Sequence, residues 1–187
     1  MSKIIKYMKI ESLAVFCGSK TGANPVYSNH AAVLGKLLAT KKITLIYGGG
    51  SKGIMGNLAD AMIENNGTVI GVIPKILLAW EQHHEGISQL LVVDDMHIRK
   101  KKMYDLSDAA MILPGGFGTL DELFEMLTWN QLSIHNKPIF ILNSEGFYDH
   151  LIQHMELLEK NEFLYEPLSK RLTFLSHPNE LDTFLNP

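Results

Sequence analysis

The segment at residues 113–122, LPGGFGTLDE, constrains the fold more than any other, because it joins a predicted strand to a predicted helix through three glycines. Residues 109–113 are a short apolar run typical of a central strand, and apolar residues then recur at helical spacing from Leu120 to Leu127. Glycines let a ligand approach the backbone, and the N–H groups and dipole of a new helix favour an anion. This turn is therefore predicted to bind phosphate.

The end of the same segment has an alternative explanation. Thr119 and Glu122 stand three residues apart, as in a capping box, where the Thr hydroxyl and the Glu carboxylate satisfy backbone donors at a helix start. Asp121 is explained more simply by the helix dipole than by catalysis. The local pattern alone leaves Thr119 and Glu122 open to a structural or a functional interpretation.

Strand and helix patterns alternate along the chain, with glycine or proline at many of the junctions. Such alternation implies parallel strands with right-handed crossovers, so the predicted fold class is α/β, a doubly wound parallel sheet with helices on both faces. The predicted strands are 13–17, 43–47, 68–73, 90–93, 109–113, 138–142 and 172–175, and the predicted helices are 26–40, 54–65, 96–106, 120–132, 148–160 and one after Pro178.

The composition describes a reduced globular protein. At 187 residues the chain is predicted to form one domain, residues 1–187, which can bury about 70% of the surface that its unfolded form exposes. It is 46% hydrophobic and 20% charged, with one cysteine, Cys17, expected in the core. A net charge of −3 offers no global field for nucleic acid, and no 18-residue apolar run or secretory signal is evident. We expect a cytoplasmic protein that binds neither nucleic acid nor a membrane.

A second glycine-rich turn follows the strand at 43–47. Gly48, Gly50 and Gly53 fit the G-x-G-x-x-G spacing of dinucleotide-binding turns in the required strand-turn-helix context. That fingerprint also needs an acidic residue at the end of the next strand, where residues 71–74 read GVIP. We interpret these glycines as allowing close approach of a tight turn and a helix, with approach of a ligand left open, rather than as an NAD or FAD site.

The predicted helix at 96–106 carries four consecutive cations whose directions follow from its periodicity. Arg99 and Lys100 share the stripe of Met96, whereas the next two lysines project elsewhere. A cation on an inward face needs an anionic partner unless its head reaches water. The pattern favours a ligand-facing Arg99 and leaves both alternatives open for Lys100.

The weakly patterned segment at 75–89 contains Glu81, His83, His84 and Glu85. Residues of these types bind zinc, but adjacent histidines normally point apart, and no matching set of cysteines and histidines occurs elsewhere. A solvated loop is the favoured interpretation, and no metal site is predicted.

Two of these motifs together resemble the LOG family of cytokinin-activating nucleoside 5′-monophosphate phosphoribohydrolases, which are often labelled lysine decarboxylases. The motifs are PGGFGTLDE at 114–122 and MHIRK at 96–100. The resemblance implies a Rossmann-like fold, a homodimer, and cleavage of the N-glycosidic bond of a nucleoside monophosphate to the free base and ribose 5-phosphate. It extends over most of the chain and includes residues 16–19, 47–56, 71–74 and 128–132.

The resemblance also implies roles for individual residues. Two departures, Lys52 in the second glycine turn and Ile98 before the Arg-Lys pair, lie outside the implied catalytic pair, so they bear on substrate preference rather than on reaction type. The implied catalytic residues are Arg99 and Glu122, the implied phosphate site is Gly115, Gly116, Phe117, Gly118 and Thr119, and Glu81, Lys100 and Thr128 are implied to line the site.

Cleaving a ribosyl C–N bond builds positive charge on the sugar and negative charge on the base. We expect Glu122 to orient a ribose hydroxyl or the attacking water and to stabilise the cationic sugar, and Arg99 to contact the phosphate or the leaving base. No cofactor is expected, since pyridoxal phosphate needs a Schiff-base lysine and a partner for its ring nitrogen, and no such pair is identifiable. A non-catalytic nucleotide-binding module is the alternative, and the preferred base, that of AMP or of an N6-substituted nucleotide, stays open.

Overall fold

Seven strands form one parallel sheet, so the predicted doubly wound α/β fold is confirmed. The computed structural model describes residues 9–78 and 83–185. Within these residues the strands pair in the order β4-β3-β2-β1-β5-β6-β7, and every neighbouring pair is parallel. The strands are β1 (Ser12–Phe16), β2 (Thr44–Tyr47), β3 (Val69–Pro74), β4 (Gln89–Val93), β5 (Ala109–Ile112), β6 (Ile139–Leu142) and β7 (Leu172–Leu175).

Helices cover both faces of this sheet. The first two pack on one face through residues such as Leu34 and Leu58, and the last three pack on the other through Tyr104, Leu123 and Met155. No helix in the described ranges is long and apolar enough to cross a membrane. The helices are α1 (Pro25–Thr40), α2 (Gly53–Glu64), α3 (Lys75–Leu78), α4 (Met96–Leu106), α5 (Phe117–Gln131) and α6 (Asp149–Lys160), with 3₁₀ helices at Ser144–Gly146, Leu168–Lys170 and Pro178–Thr183.

The loops after β1 and β5 meet in the middle of the carboxyl edge of the sheet. β1 and β5 are neighbours, and the strand order continues to β2 on one side and to β6 on the other. The Gly18 N–H donates to the Pro114 carbonyl at 3.0 Å and joins the two loops. Open α/β sheets bind ligands at such a reversal of strand order. This is where the glycine-rich turn predicted to bind phosphate is located.

The segment between β3 and β4, for which the sequence predicts a loop or a short helix, begins with the four-residue helix α3. The backbone N–H of His84 donates to the Gly49 carbonyl at 3.0 Å, and its Nε2 lies 2.8 Å from Asp60 Oδ1. These contacts anchor the end of the segment beside the second glycine turn. Glu81, one of the residues implied to line the site, lies outside the described residues.

Candidate active site

A cavity of about 280 Å³ opens at the carboxyl edge of the sheet, beside the joined loops. Its lining combines polar groups, which include Arg99, Glu122 and the first turn of α5, with three methionines, one of which has its Sδ 3.7 Å from Arg99 Nη1. The lining residues are Phe16, Cys17, Gly18, Ser19, Gly48, Met55, Met96, Arg99, Met103, Gly116, Phe117, Gly118, Thr119, Asp121 and Glu122.

Arg99 is held by backbone carbonyls rather than by carboxylates. Its side chain points inward, as predicted, and the residue is only 8% exposed. Nε donates to the Val72 carbonyl at 3.1 Å and Nη2 to the Gly48 carbonyl at 3.4 Å. No ion pair joins Arg99 to any residue in 9–78 or 83–185. A buried cation without a carboxylate partner favours an anion in the cavity.

Glu122 faces the same cavity from α5 and is 8% exposed. The pKa of its carboxyl is raised to about 7, chiefly because of burial; Arg99 and Lys100 lower it, and the neighbouring Asp121 and Glu125 raise it. No hydrogen bond or ion pair within the described residues engages this carboxylate. Glu122 can therefore exchange a proton with substrate or water near neutral pH.

The capping box considered for Thr119 and Glu122 is wrong. α5 begins at Phe117 with Gly116 as its N-cap, so Thr119 lies in the first turn of the helix, and no side chain caps the helix. Thr119 packs against Gly115, which precedes it by four residues. A Cβ built on Gly115 would stand 2.1 Å from Thr119 Oγ1. The first N–H groups of α5 consequently have no side-chain cap, which suits them for an anion.

The predicted phosphate turn lies between two cavities. Gly116, Phe117, Gly118 and Thr119 line the cavity that holds Arg99 and Glu122. Nothing lies within 4 Å of a Cβ built on Gly116 or Gly118, so this surface is open to a ligand. Gly115 instead lines an adjoining cavity of about 240 Å³ that also contains Lys20.

Lys100 does not line the cavity. The residue is 7% exposed, and its Nζ lies 3.0 Å from Asp121 Oδ2 and 3.2 Å from Glu125 Oε1. Burial lowers the pKa of Lys100, but the hydrogen bonds to Asp121 and Glu125 outweigh burial, so the pKa is raised. Lys100 is thus an ammonium shared by two carboxylates of α5.

Thr128 is also placed away from the cavity. It is exposed, and its Oγ1 donates to the Phe124 carbonyl at 2.8 Å. It lines a separate groove with Leu127 and Gln131. The two departures from the family pattern, Lys52 and Ile98, are exposed and do not line the cavity.

Sequence reasoning missed several lining residues. The carbonyls of Gly48 and Val72 that accept hydrogen bonds from Arg99 belong to the main chain, so no side-chain pattern predicts them. The position of Gly48 directly after a buried strand was the one feature that indicated close approach. Cys17 lies in the core, as expected, but the sequence did not indicate that it also lines the cavity. Its thiol has a raised pKa, chiefly because of burial and then because of Glu122. Because its thiol is neutral, Cys17 lines the cavity but does not act as a nucleophile.

Comparisons with known proteins agree with this geometry. Residues 55–183 match the family described as possible lysine decarboxylase. The chain is 42% identical over 171 residues to a probable cytokinin riboside 5′-monophosphate phosphoribohydrolase of Oryza sativa subsp. japonica, which covers 91% of this chain and 74% of that protein. It is 45% identical over 147 residues to a cytokinin riboside 5′-monophosphate phosphoribohydrolase of Rhodococcoides fascians, with coverage of 78% and 74%.

Solved structures show the same fold at low sequence identity. A molybdenum cofactor binding protein from Rippkaea orientalis superposes with a TM-score of 0.70 at 21% identity, over 94% of this chain and 95% of that one. A molybdenum cofactor carrier protein from Chlamydomonas reinhardtii gives 0.68 at 18% identity, over 95% and 98%. At these identities the likeness concerns the fold alone.

Proposed function

We propose, from the premise that this chain belongs to the LOG family of cytokinin riboside 5′-monophosphate phosphoribohydrolases, that it hydrolyses the N-glycosidic bond of purine nucleoside 5′-monophosphates. Water supplies a hydroxyl to C1′ of the ribose and a proton to the base, giving ribose 5-phosphate and the free base. The observation that carries the proposal is the placement of Arg99 and Glu122 in one cavity with the uncapped start of α5.

The start of α5 supplies the phosphate site in this proposal. Gly116, Phe117, Gly118 and Thr119 line the cavity at the uncapped start of α5, where the helix dipole favours a dianion. Binding energy from the phosphate then positions C1′, which lies on the same sugar, against the catalytic groups. A nucleoside without the phosphate loses this positioning.

Glu122 and Arg99 serve the two charges that form as the bond breaks. An ionised Glu122 orients the attacking water or a ribose hydroxyl and stabilises the cationic sugar. Arg99, fixed by the Val72 and Gly48 carbonyls, faces the negative charge of the phosphate or of the departing base. The Arg99 guanidinium is thus already oriented before substrate arrives.

Lysine decarboxylation, which the family description suggests, makes a different demand on the chain. A lysine that forms a Schiff base attacks as a neutral amine, so its pKa must be lowered. Lys100 has a raised pKa because two carboxylates bind its ammonium, and Lys137, whose pKa is lowered chiefly by burial, does not line the cavity that contains Glu122. The other rival is a module that binds a nucleotide without cleaving it.

The first test compares nucleotides with nucleosides. We expect kcat/KM for AMP or an N6-substituted AMP to exceed that for the matching nucleoside by at least about 10²-fold, because phosphate binding positions C1′. Free base and ribose 5-phosphate should appear in equal amounts, as chromatography of both products would show. Equal turnover of nucleotide and nucleoside would contradict the phosphate role.

The same assay separates the rival functions. Saturable nucleotide binding without release of base would identify a binding module. Release of carbon dioxide from lysine with added pyridoxal phosphate would support the decarboxylase description. A panel of purine monophosphates identifies the preferred base.

The proposal includes a homodimer in the cytoplasm. The exposed Phe124 and the half-buried Leu127 and Leu158 line a groove between α5 and α6, and burying these apolar side chains against a second copy would stabilise the pair. Light scattering at micromolar concentration should give twice the 21.0 kDa mass of one chain. A 21.0 kDa particle under these conditions would contradict the dimer.

A further inference from the structure

We propose that Lys100 is a positioning residue that acts through Glu122: by bridging Asp121 and Glu125 it fixes α5 against α4 and keeps the Glu122 carboxylate in its ionised form opposite Arg99. This inference rests on the proposed function for the meaning of Glu122. It assigns Lys100 a role that does not involve contact with the substrate.

The geometry of consecutive residues carries the inference. Arg99 and Lys100 are neighbours on α4, and Asp121 and Glu122 are neighbours on α5. Successive helical residues point about 100° apart. Arg99 and Glu122 both line the cavity, while Lys100, which does not line it, has its Nζ 3.0 Å from Oδ2 of Asp121, a residue that also lines the cavity.

Glu125 extends the connection by one helical turn. It accepts from Lys100 at 3.2 Å, and its other oxygen accepts from the Tyr104 hydroxyl at 3.1 Å. The same hydroxyl lies 3.2 Å from the Glu122 carbonyl. Two side chains of α4, one turn apart, thus hold the segment of α5 that carries Glu122.

The electrostatic role of Lys100 follows from the carboxylates that its removal would leave without a cationic partner. Asp121 and Glu125 would stand unneutralised beside a buried Glu122, and like charges disfavour its ionisation. Lys100 offsets both carboxylates with one ammonium that is itself 7% exposed and weakly screened. The charged and titratable groups that act on Glu122 are Arg99, Lys100 and Tyr104 of α4, Asp121 and Glu125 of α5, and Cys17 after β1.

The test is the pH profile of nucleotide hydrolysis by Lys100→Met. Wild type should show a rising limb with an apparent pKa near 7, which Lys100→Met should move upward by about one unit. The rate should then fall about fivefold at pH 7 and recover by about pH 9. The substrate phosphate ionises near pH 6 and is common to all variants, so the limb that moves belongs to the enzyme.

Two variants serve as controls. Lys101→Met removes the same charge from the next residue of α4, where Lys101 Nζ pairs with Asp105 Oδ2 at 2.6 Å on the exposed side, and it should leave the limb in place. Lys100→Arg keeps the charge and should keep the limb near its wild-type position. A raised KM with an unmoved limb would mean that Lys100 binds substrate, and a lower Tm with unchanged kinetics would mean a structural brace only; either result overturns the inference.

Glu125→Gln tests the same contact from the other helix. Removing this carboxylate should move the limb downward, and adding it to Lys100→Met should reverse part of the upward displacement. It also keeps the inference testable if Lys100→Met does not fold. An unmoved limb in a folded Glu125→Gln protein would contradict the electrostatic role.

A titration without substrate separates failure of this inference from failure of the proposed function. Infrared spectroscopy of protein with labelled glutamate should show one carboxyl that titrates near pH 7 and is absent from Glu122→Gln. In Lys100→Met the same carboxyl should titrate higher, whether or not a nucleotide is hydrolysed. An unchanged titration would overturn the inference even if hydrolysis were observed.

Discussion

Replacing Glu122 by glutamine should lower the rate of nucleotide hydrolysis by about 10²- to 10⁴-fold, a range typical of removing an acid-base group. Gln keeps the shape of the side chain and removes its charge, so nucleotide binding should be largely retained. Steady-state kinetics of base release and calorimetric binding of the nucleotide measure the two effects separately. Full turnover by this variant would remove Glu122 from the mechanism.

The same substitution should stabilise the folded protein at alkaline pH. The pKa of Glu122 is raised from 4.5 to about 7, so its contribution to stability is fully present below pH 4.5 and is lost as the pH rises through 7. Gln cannot ionise, so at pH 8 Glu122→Gln should gain on the order of 3 kcal/mol in free energy of unfolding relative to wild type. At pH 4.5 this gain should vanish. Urea unfolding at the two pH values tests the sign.

Replacing Gly48 by alanine should reduce the rate of nucleotide hydrolysis by about 10²-fold or more, because the new methyl group would displace the Arg99 guanidinium. A Cβ on Gly48 would stand 2.3 Å from Arg99 Nη2 and 3.0 Å from Met55 Sδ. The φ angle of Gly48 lies outside the left-handed region, so alanine adopts this backbone without strain. The loss should therefore come from the displaced guanidinium and not from the turn.

A double-mutant comparison isolates that route. If Gly48→Ala acts by moving Arg99, it should add little to the loss caused by Arg99→Ala. Gly86→Ala is the control for a new methyl group, since its closest contact is 3.2 Å from a His84 side-chain atom, outside the cavity. Independent, additive losses from Gly48→Ala and Arg99→Ala would contradict the proposed contact.

The fold could be predicted from the sequence because the strands and the helices each have a characteristic pattern of apolar residues. The strand predicted at 109–113 matches β5, and the helix predicted at 26–40 begins one residue earlier, at Pro25, where Asn24 Oδ1 accepts from Val26 N. Buried parallel strands give uninterrupted apolar runs, and glycines mark their carboxyl ends. These patterns are local in the sequence, so they can be recognised without knowing which segments meet in the fold.

The candidate site was accessible only in part, because its chemistry depends on contacts between distant segments. The inward side of α4 was predicted from spacing, yet spacing could not separate Arg99, which faces the cavity, from Lys100, which faces Asp121. Thr128 lies six residues after Glu122, about 120° around the helix, so it leaves the cavity. The acceptors of the Arg99 hydrogen bonds are main-chain carbonyls. Because every residue has such a carbonyl, the sequence could not identify them.

Those carbonyls have a consequence for how the cavity can change. Because Arg99 is held by the backbone of Gly48 and Val72, its orientation does not depend on any side chain of β2 or β3. The lining methionines Met55 and Met103 can be replaced without removing either acceptor. Laboratory evolution toward a new base should accordingly concentrate its substitutions at Met55 and Met103 rather than at Met96, whose Sδ lies 3.7 Å from Arg99 Nη1, or at Arg99 itself.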